Sequence, residues 1–99
     1  MNSYYPKSYR KVPVVIQAIE YDGSEESRTA ILQWTGEYEV RSKIQEINTG
    51  EKKIAIETKE GWITASVGDY VIKGVENEFY PCKPSVFDTT YQWVKPDDN

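Results

Sequence analysis

KKIAIETKEGWITASV, residues 52–67, is the stretch on which the fold turns. Residues 52–58 set Ile54, Ile56 and Thr58 on one face at the two-residue period of a strand. Lys59-Glu60-Gly61 fits a short hairpin loop with glycine at the left-handed position, and residues 62–67 return as the second arm. Ile63, Ala65 and Val67 share one face of that arm, and Trp62, Thr64 and Ser66 share the other. Alternation alone leaves both orientations open.

Upstream of the hairpin, Asn48-Thr49-Gly50 is a turn, and residues 40–47 form a weaker strand. Its alternation breaks between Ile44 and Ile47, which predicts a bulge or irregular turn there. Residues 13–21, PVVIQAIEY, are β-branched and aromatic, and both faces are apolar over the first half, as for a central strand covered on both sides. Between these strands, Asp22-Gly23-Ser24 opens a helix over residues 25–35. Ser24 caps it, Glu25 and Glu26 complement its positive end, and Gly36 suits a left-handed C-terminal cap. Ala30, Ile31 and Trp34 mark its inner side, with Ser27 one turn earlier.

Downstream, residues 70–73 and 79–82 are strands flanking the loop 74–78. Pro81 and Pro84, on either side of Cys82, suit a rigid edge strand leading into a capped helix. Pro84 suits the first position of a short helix running to Tyr91, which sets Phe87 and Tyr91 one turn apart. The expected architecture is α+β. It is a single small domain, an antiparallel β-sheet or partly open barrel packed by one main helix (about 25–35) and a short C-terminal helix (about 84–91). Residues 1–12 form an extended arm and residues 95–99 a frayed tail of this one domain.

Composition agrees with one core. A chain of 99 residues and 11.5 kDa should expose about 5,800 Å² when folded, against about 16,700 Å² unfolded. The hydrophobic fraction of 38% is low, but 13% of residues are aromatic and bury large areas each. The exclusions are sharper. The chain has no histidine, which removes Ser-His-Asp and Cys-His catalysis and His-ligated metal sites. One cysteine, Cys82, removes an internal disulfide and Cys-rich clusters. No apolar run reaches the length of a membrane helix, and residues 1–12 lack the apolar core of a secretory signal, so a cytoplasmic setting is the simplest expectation. A net charge of −4 disfavours direct nucleic-acid binding.

Residues 67–94, VGDYVIKGVENEFYPCKPSVFDTTYQWV, are the most distinctive in the chain. Gly68, Asp69, Tyr70, Ile72, Gly74 and Val75, then residues 78–84, then Phe87, Thr90 and Tyr91, resemble the C-terminal signature of a family of small bacteriophage-encoded proteins. Residues 11–18, KVPVVIQA, resemble that family's usual start. Ser66-Val67 departs from the proline the pattern usually has before Gly68, a change in a turn and not in a chemical group. The resemblance implies a phage or prophage accessory protein made in the bacterial cytoplasm. It implies no established activity, and it brings no catalytic residues.

Three sets of residues bear on chemistry. Cys82, beside Lys83 and a helix N-terminus, has the surroundings of a reactive thiol, but a buried strand cysteine without a histidine base is the plainer reading. Asp69 after Gly68 is a base or ligand in one reading and, in the plainer one, a turn carboxylate bonded to backbone amides. The acidic residues lack the spacing of a calcium or magnesium loop. No metal, cofactor or catalytic residue is therefore expected, and the chain reads as a non-enzyme. The aromatic surplus is the third set: Trp34, Trp62, Trp93, Phe79, Phe87 and eight tyrosines exceed what so small a core encloses. Such residues are enriched at protein interfaces, and beside Lys73, Lys83 or Arg41 they also suit base stacking and phosphate binding. Trp34 and Trp62 also suit the core, and Tyr4, Tyr5 and Tyr9 along the arm suit wrapping a partner.

The expected binding residues are Trp62, Asp69, Tyr70, Lys73, Phe79, Tyr80 and Lys83. The expected function is non-enzymatic binding that inhibits a host component, such as a defence protein, by occupying it. The alternatives are a homo-oligomeric sponge for a small nucleotide signal, or a virion or assembly accessory. The partner is thus a host protein or a small nucleotide ligand, with neither nucleic acid nor membrane, and a homo-oligomer is allowed.

Overall fold

The computed structural model describes residues 4–10, 12–37 and 40–95. Tyr38, part of the expected arm (1–3 and 11) and part of the expected tail (96–99) lie outside the described residues. The chain runs β1 (Gln17–Glu20), α1 (Glu25–Thr35), β2 (Ser42–Glu46), β3 (Lys52–Thr58), β4 (Gly61–Ala65), β5 (Tyr70–Lys73), β6 (Phe79–Cys82) and α2 (Pro84–Thr90). It is a small single-domain α+β fold. The strands make two three-stranded antiparallel sheets, β1-β5-β6 and β2-β3-β4, where one sheet or a partly open barrel was expected. They do not close into a barrel.

The β3–β4 hairpin is the expected one. Thr58 pairs with Gly61 across Lys59 and Glu60, and Gly61 has φ +104°. Register also settles the face of β4. Ile63 opposes Ile56 and Ala65 opposes Ile54, both isoleucines being fully buried, so Ile63 and Ala65 face the core side. Trp62 opposes the exposed Glu57 and faces out.

Four local expectations are corrected. The strand read over 13–21 is paired only over Gln17–Glu20, because its partner β5 is four residues long and the chain turns at Gly74. β1 is also an edge strand rather than a central one. Of the bulge or irregular turn expected near Ile47, the turn is what forms: β2 pairs without interruption from Ser42 opposite Ile56 to Glu46 opposite Lys52, and Ile47 past its end opens the turn, its N–H donating to the Glu51 carbonyl and its carbonyl accepting the Gly50 N–H. Gly36 has φ −94° and ψ 14°, so α1 ends without a left-handed cap. Within α1, Ile31 and Thr35 are buried and Ala30 is exposed, which rotates the inner face away from Ala30.

The N-terminus of α1 follows its sequence. Ser24 Oγ accepts the Ser27 N–H at 3.0 Å, and Asp22 Oδ1 accepts the Ser24 N–H at 2.9 Å. Those bonds satisfy donors that a helix start leaves open. They also hold Asp22 near a pKa of about 2, first through the side-chain bond with Ser24.

One core joins the two sheets. Tyr21, Ile31, Ile54, Ile56, Ala65, Val71 and Phe79 cluster in it, with Ile19 and Trp34 packed against them. Tyr21, just after β1, is almost fully buried and donates its hydroxyl to the Lys52 carbonyl at the start of β3. That bond satisfies a phenol that burial would otherwise penalise, and it ties one sheet to the other. At the far end of α1, Thr35 Oγ1 donates to the Ile31 carbonyl at 2.8 Å and meets the buried Ser42 Oγ of β2. With the threonine proton engaged, Ser42 is the donor between the hydroxyls.

Candidate functional site

Register divides the β1-β5-β6 sheet into two faces. Ile19, Val71 and Phe79 belong to the face that enters the core. Ala18, Tyr70, Ile72 and Tyr80 lie on the other, and α2 covers that face. Phe87 of α2 stacks on Tyr70 with ring centroids 3.8 Å apart and planes 5° from parallel. Tyr91 follows one turn later, 5.1 Å from Phe87, and its hydroxyl lies 3.4 Å from that of Tyr80. Pro84 starts this helix, and Lys83 before it makes no side-chain cap, so aromatic contacts hold α2 in place. The Tyr80 hydroxyl titrates well above the ordinary tyrosine range, because of burial first and the bond to Tyr91 second. Burial raises Tyr70 as well, helped by the negative charges of Glu20 and Asp88.

Between the chain entering β1 and the chain leaving α2 lies a groove of about 1100 Å³, lined by residues 12–19 on one side and by Phe87 and residues 90–95 on the other. Trp34 lines it from the α1 side and Tyr70 from the α2 side, so the groove runs across the free edge of β1. Its walls are apolar and open. Val12, Val15 and Trp93 are 71%, 76% and 77% exposed, and Val14 and Val94 about half exposed. Lys95 is the one charged residue among the described lining, beside the polar Gln17, Thr90 and Gln92. A concave apolar surface with a few polar groups is the usual composition of a binding site, and contiguous exposed apolar side chains mark a surface that takes a partner.

Of the seven residues expected to bind, Tyr70 alone lines the groove, and Tyr80 reaches its wall through Tyr91. The others stand elsewhere. Asp69 is buried, and its Oδ2 accepts the Ser66 N–H at 2.9 Å and the Lys83 ammonium at 3.1 Å. That carboxylate shapes the Ser66–Asp69 turn, in which Gly68 has φ +98° and donates to the Tyr21 carbonyl. Phe79 is in the core, edge-on to Trp34 at 5.1 Å, with the charged ends of Arg41 and Lys73 about 6 Å from its ring. Trp62 lies on the outer face of the other sheet under Lys43, whose Nζ is 4.5 Å from the ring centre. No single surface gathers the seven.

The groove's own walls, Val12, Val14, Val15, Trp93 and Val94, were not among those seven. The signal was present in residues 12–16, which are apolar on both faces, but it reads as a covered strand until the length of β5 is known. Cys82 is half-buried, and its thiol is pushed up by burial and then by the Asp69 charge, the opposite of what a thiolate nucleophile needs. Among the described residues no three His, Cys, Asp or Glu side chains stand together as metal ligands, and no helix is long and apolar enough to cross a membrane.

No family model, curated protein or solved structure matches the chain. What the groove can bind therefore follows from its own residues.

Proposed function

We propose that the protein is an accessory protein of bacteriophage type that acts by binding in the bacterial cytoplasm, inhibiting a host component by occupying it, and that the groove beside β1 is its binding surface. The observation that supports this is the open apolar wall of Val12, Val15 and Trp93, which no described residue of the chain covers. With Lys95 as the single charge among the described lining residues, the groove suits an extended apolar segment of a protein better than a phosphate-bearing ligand. A defence protein of the host is the kind of target the phage resemblance suggests.

The test is capture from bacterial lysate by the immobilised protein at low and at physiological salt, beside Trp93→Ser. Trp93 is exposed, so its loss leaves the core untouched. The expected result is a host protein retained by the wild type and lost with Trp93→Ser. Capture of nothing above background, or of the same protein by both forms, refutes the assignment.

A nucleotide sponge has one observation in its favour: the parallel Tyr70–Phe87 stack at the groove, with Trp93 and Lys95 in the same lining. A nucleotide at 100 times its dissociation constant stabilises its receptor by about 2.7 kcal/mol. For a chain of this size that is a rise in Tm on the order of 10 °C. A flat melting panel of cyclic and ADP-ribose-type nucleotides removes this second reading.

A further inference from the structure

The charges of the chain are divided. Residues 1–19 hold no acidic residue, and Lys7, Arg10 and Lys11 give them a charge of +3. Residues 20–99 hold the other nine cations and all 16 acidic residues, a charge of −7. The whole-chain value of −4, which disfavours nucleic-acid binding, is therefore set by the domain and not by the arm before it. The arm is also bare. Every residue from 4 to 10 is exposed and lies outside the helices and strands, with Tyr4, Tyr5 and Tyr9 at 88%, 82% and 87%.

Within the arm, rings alternate with cations: Tyr4 and Tyr5, then Lys7, then Tyr9, then Arg10. Along an extended chain Tyr5 and Tyr9 stand at most about 14 Å apart, with Lys7 between them on the same side. Exposed ring faces beside cations are the two components of single-strand binding: the cations neutralise phosphates, and the rings stack on any base, because every base has a π-face. Other polyanions and surfaces fit less well. A protein interface forms around a dry apolar core, and apart from Pro6 residues 4–10 have no aliphatic side chain from which to build one. A duplex keeps its base faces stacked inside and leaves the tyrosines nothing to meet.

We propose that residues 4–10 bind a single-stranded nucleic acid, with phosphates on Lys7 and Arg10 and bases stacked on Tyr5 and Tyr9. The negative domain repels the same strand and so confines it to the arm. This surface is separate from the groove, whose lining begins at Val12. It goes beyond the binding reading and stands whether or not the groove takes a host protein.

The test is fluorescence anisotropy of labelled oligo-dT and oligo-U, each of about twelve nucleotides, titrated with the whole chain. Affinity should fall at least about fivefold between about 50 and 150 mM salt, as two neutralised phosphates require. Lys7→Gln with Arg10→Gln should flatten the slope of log affinity against log salt by about 1.4. Tyr5→Ser with Tyr9→Ser should weaken binding at least about fivefold and leave that slope unchanged. All four side chains are exposed, so circular dichroism and Tm should stay those of the wild type. Binding of either oligonucleotide supports the assignment, and a preference between them names the sugar. No binding at about 20 mM salt, equal affinity for a duplex or for polyglutamate of the same length, or an unchanged salt slope in the Lys7 and Arg10 variant overturns it. Loss of oligonucleotide binding in Trp93→Ser would put the strand in the groove and also overturns it. The two readings fail separately: oligonucleotide binding without capture of a host protein refutes the groove alone, and capture without oligonucleotide binding refutes the arm alone.

Discussion

Replacing Phe87 by alanine should undock α2 without unfolding the domain. A seven-residue helix has little stability by itself, and α2 buries none of its residues fully. What holds it is the half-buried Phe87 ring, face to face with Tyr70 at 3.8 Å and beside Tyr91 at 5.1 Å. Truncating a buried phenylalanine costs about 3–5 kcal/mol, so a half-buried one should cost about 2 kcal/mol, and the lost stacking adds about 0.5–1.5 kcal/mol. A local opening made easier by about 3 kcal/mol in all speeds exchange through that opening roughly 150-fold. The reporter is the Tyr91 amide, which donates to the Phe87 carbonyl at 2.9 Å. Hydrogen exchange should show that amide and its neighbours in 84–91 losing protection, while the amides of β3 and β5 keep most of theirs. Phe87→Leu should lose less, because it retains most of the buried surface. Thr89→Ala, whose hydroxyl bonds only to the Ser85 and Val86 carbonyls of its own helix, is the control. Unchanged protection across 84–91 in Phe87→Ala would refute the claim that aromatic contacts, and not the helix itself, build this wall of the groove.

Tyr21→Phe should lower stability in urea by about 1 kcal/mol, because the hydroxyl bond to Lys52 is lost while the ring remains; no change would mean the bond does not couple the sheets. Trp34→Ala should cost about 2–3 kcal/mol and Trp62→Ala within about 1 kcal/mol, since the first packs edge-on to Phe79 in the core and the second faces out beneath Lys43; equal losses in urea melts would contradict that placement. Asp22 is held near a pKa of about 2 against an ordinary 3.8, so its contribution to stability is complete above about pH 4 and disappears as the pH falls through 2. Asp22→Asn should flatten that part of the acid limb of Tm, and an unchanged slope would deny the carboxylate its role at the start of α1. The raised Cys82 thiol should react with a disulfide reagent at pH 8 more slowly than free cysteine and faster after unfolding, and fast reaction in the native state would reverse that reading.

Local chemistry wrote most of the elements into the chain. Ser24 with Asp22 set the start of α1, Pro84 set the start of α2, and Lys59-Glu60-Gly61 joined β3 to β4, because caps and turns depend on neighbours a few residues away. What alternation could not assign was which elements meet. Trp62 and Ile63 are equally credible inward residues by pattern, and it is the pairing of Ile63 with the buried Ile56 that turns Trp62 outward. Residues 13–16 look like covered strand by composition, yet they are bare because β5 has only four residues to offer and ends at Lys73. The distinctive stretch of residues 67–94 divides in the same way. Asp69 and Phe79 go to a turn and the core, Tyr70 goes to the groove, and Lys83 pairs with Asp69. Hydrophobic period and turn residues are properties of short segments, so they survive in the sequence. A groove is made by segments more than seventy residues apart, and only the packing of β1, α1 and α2 around a single edge brings Val15 and Trp93 to the same surface.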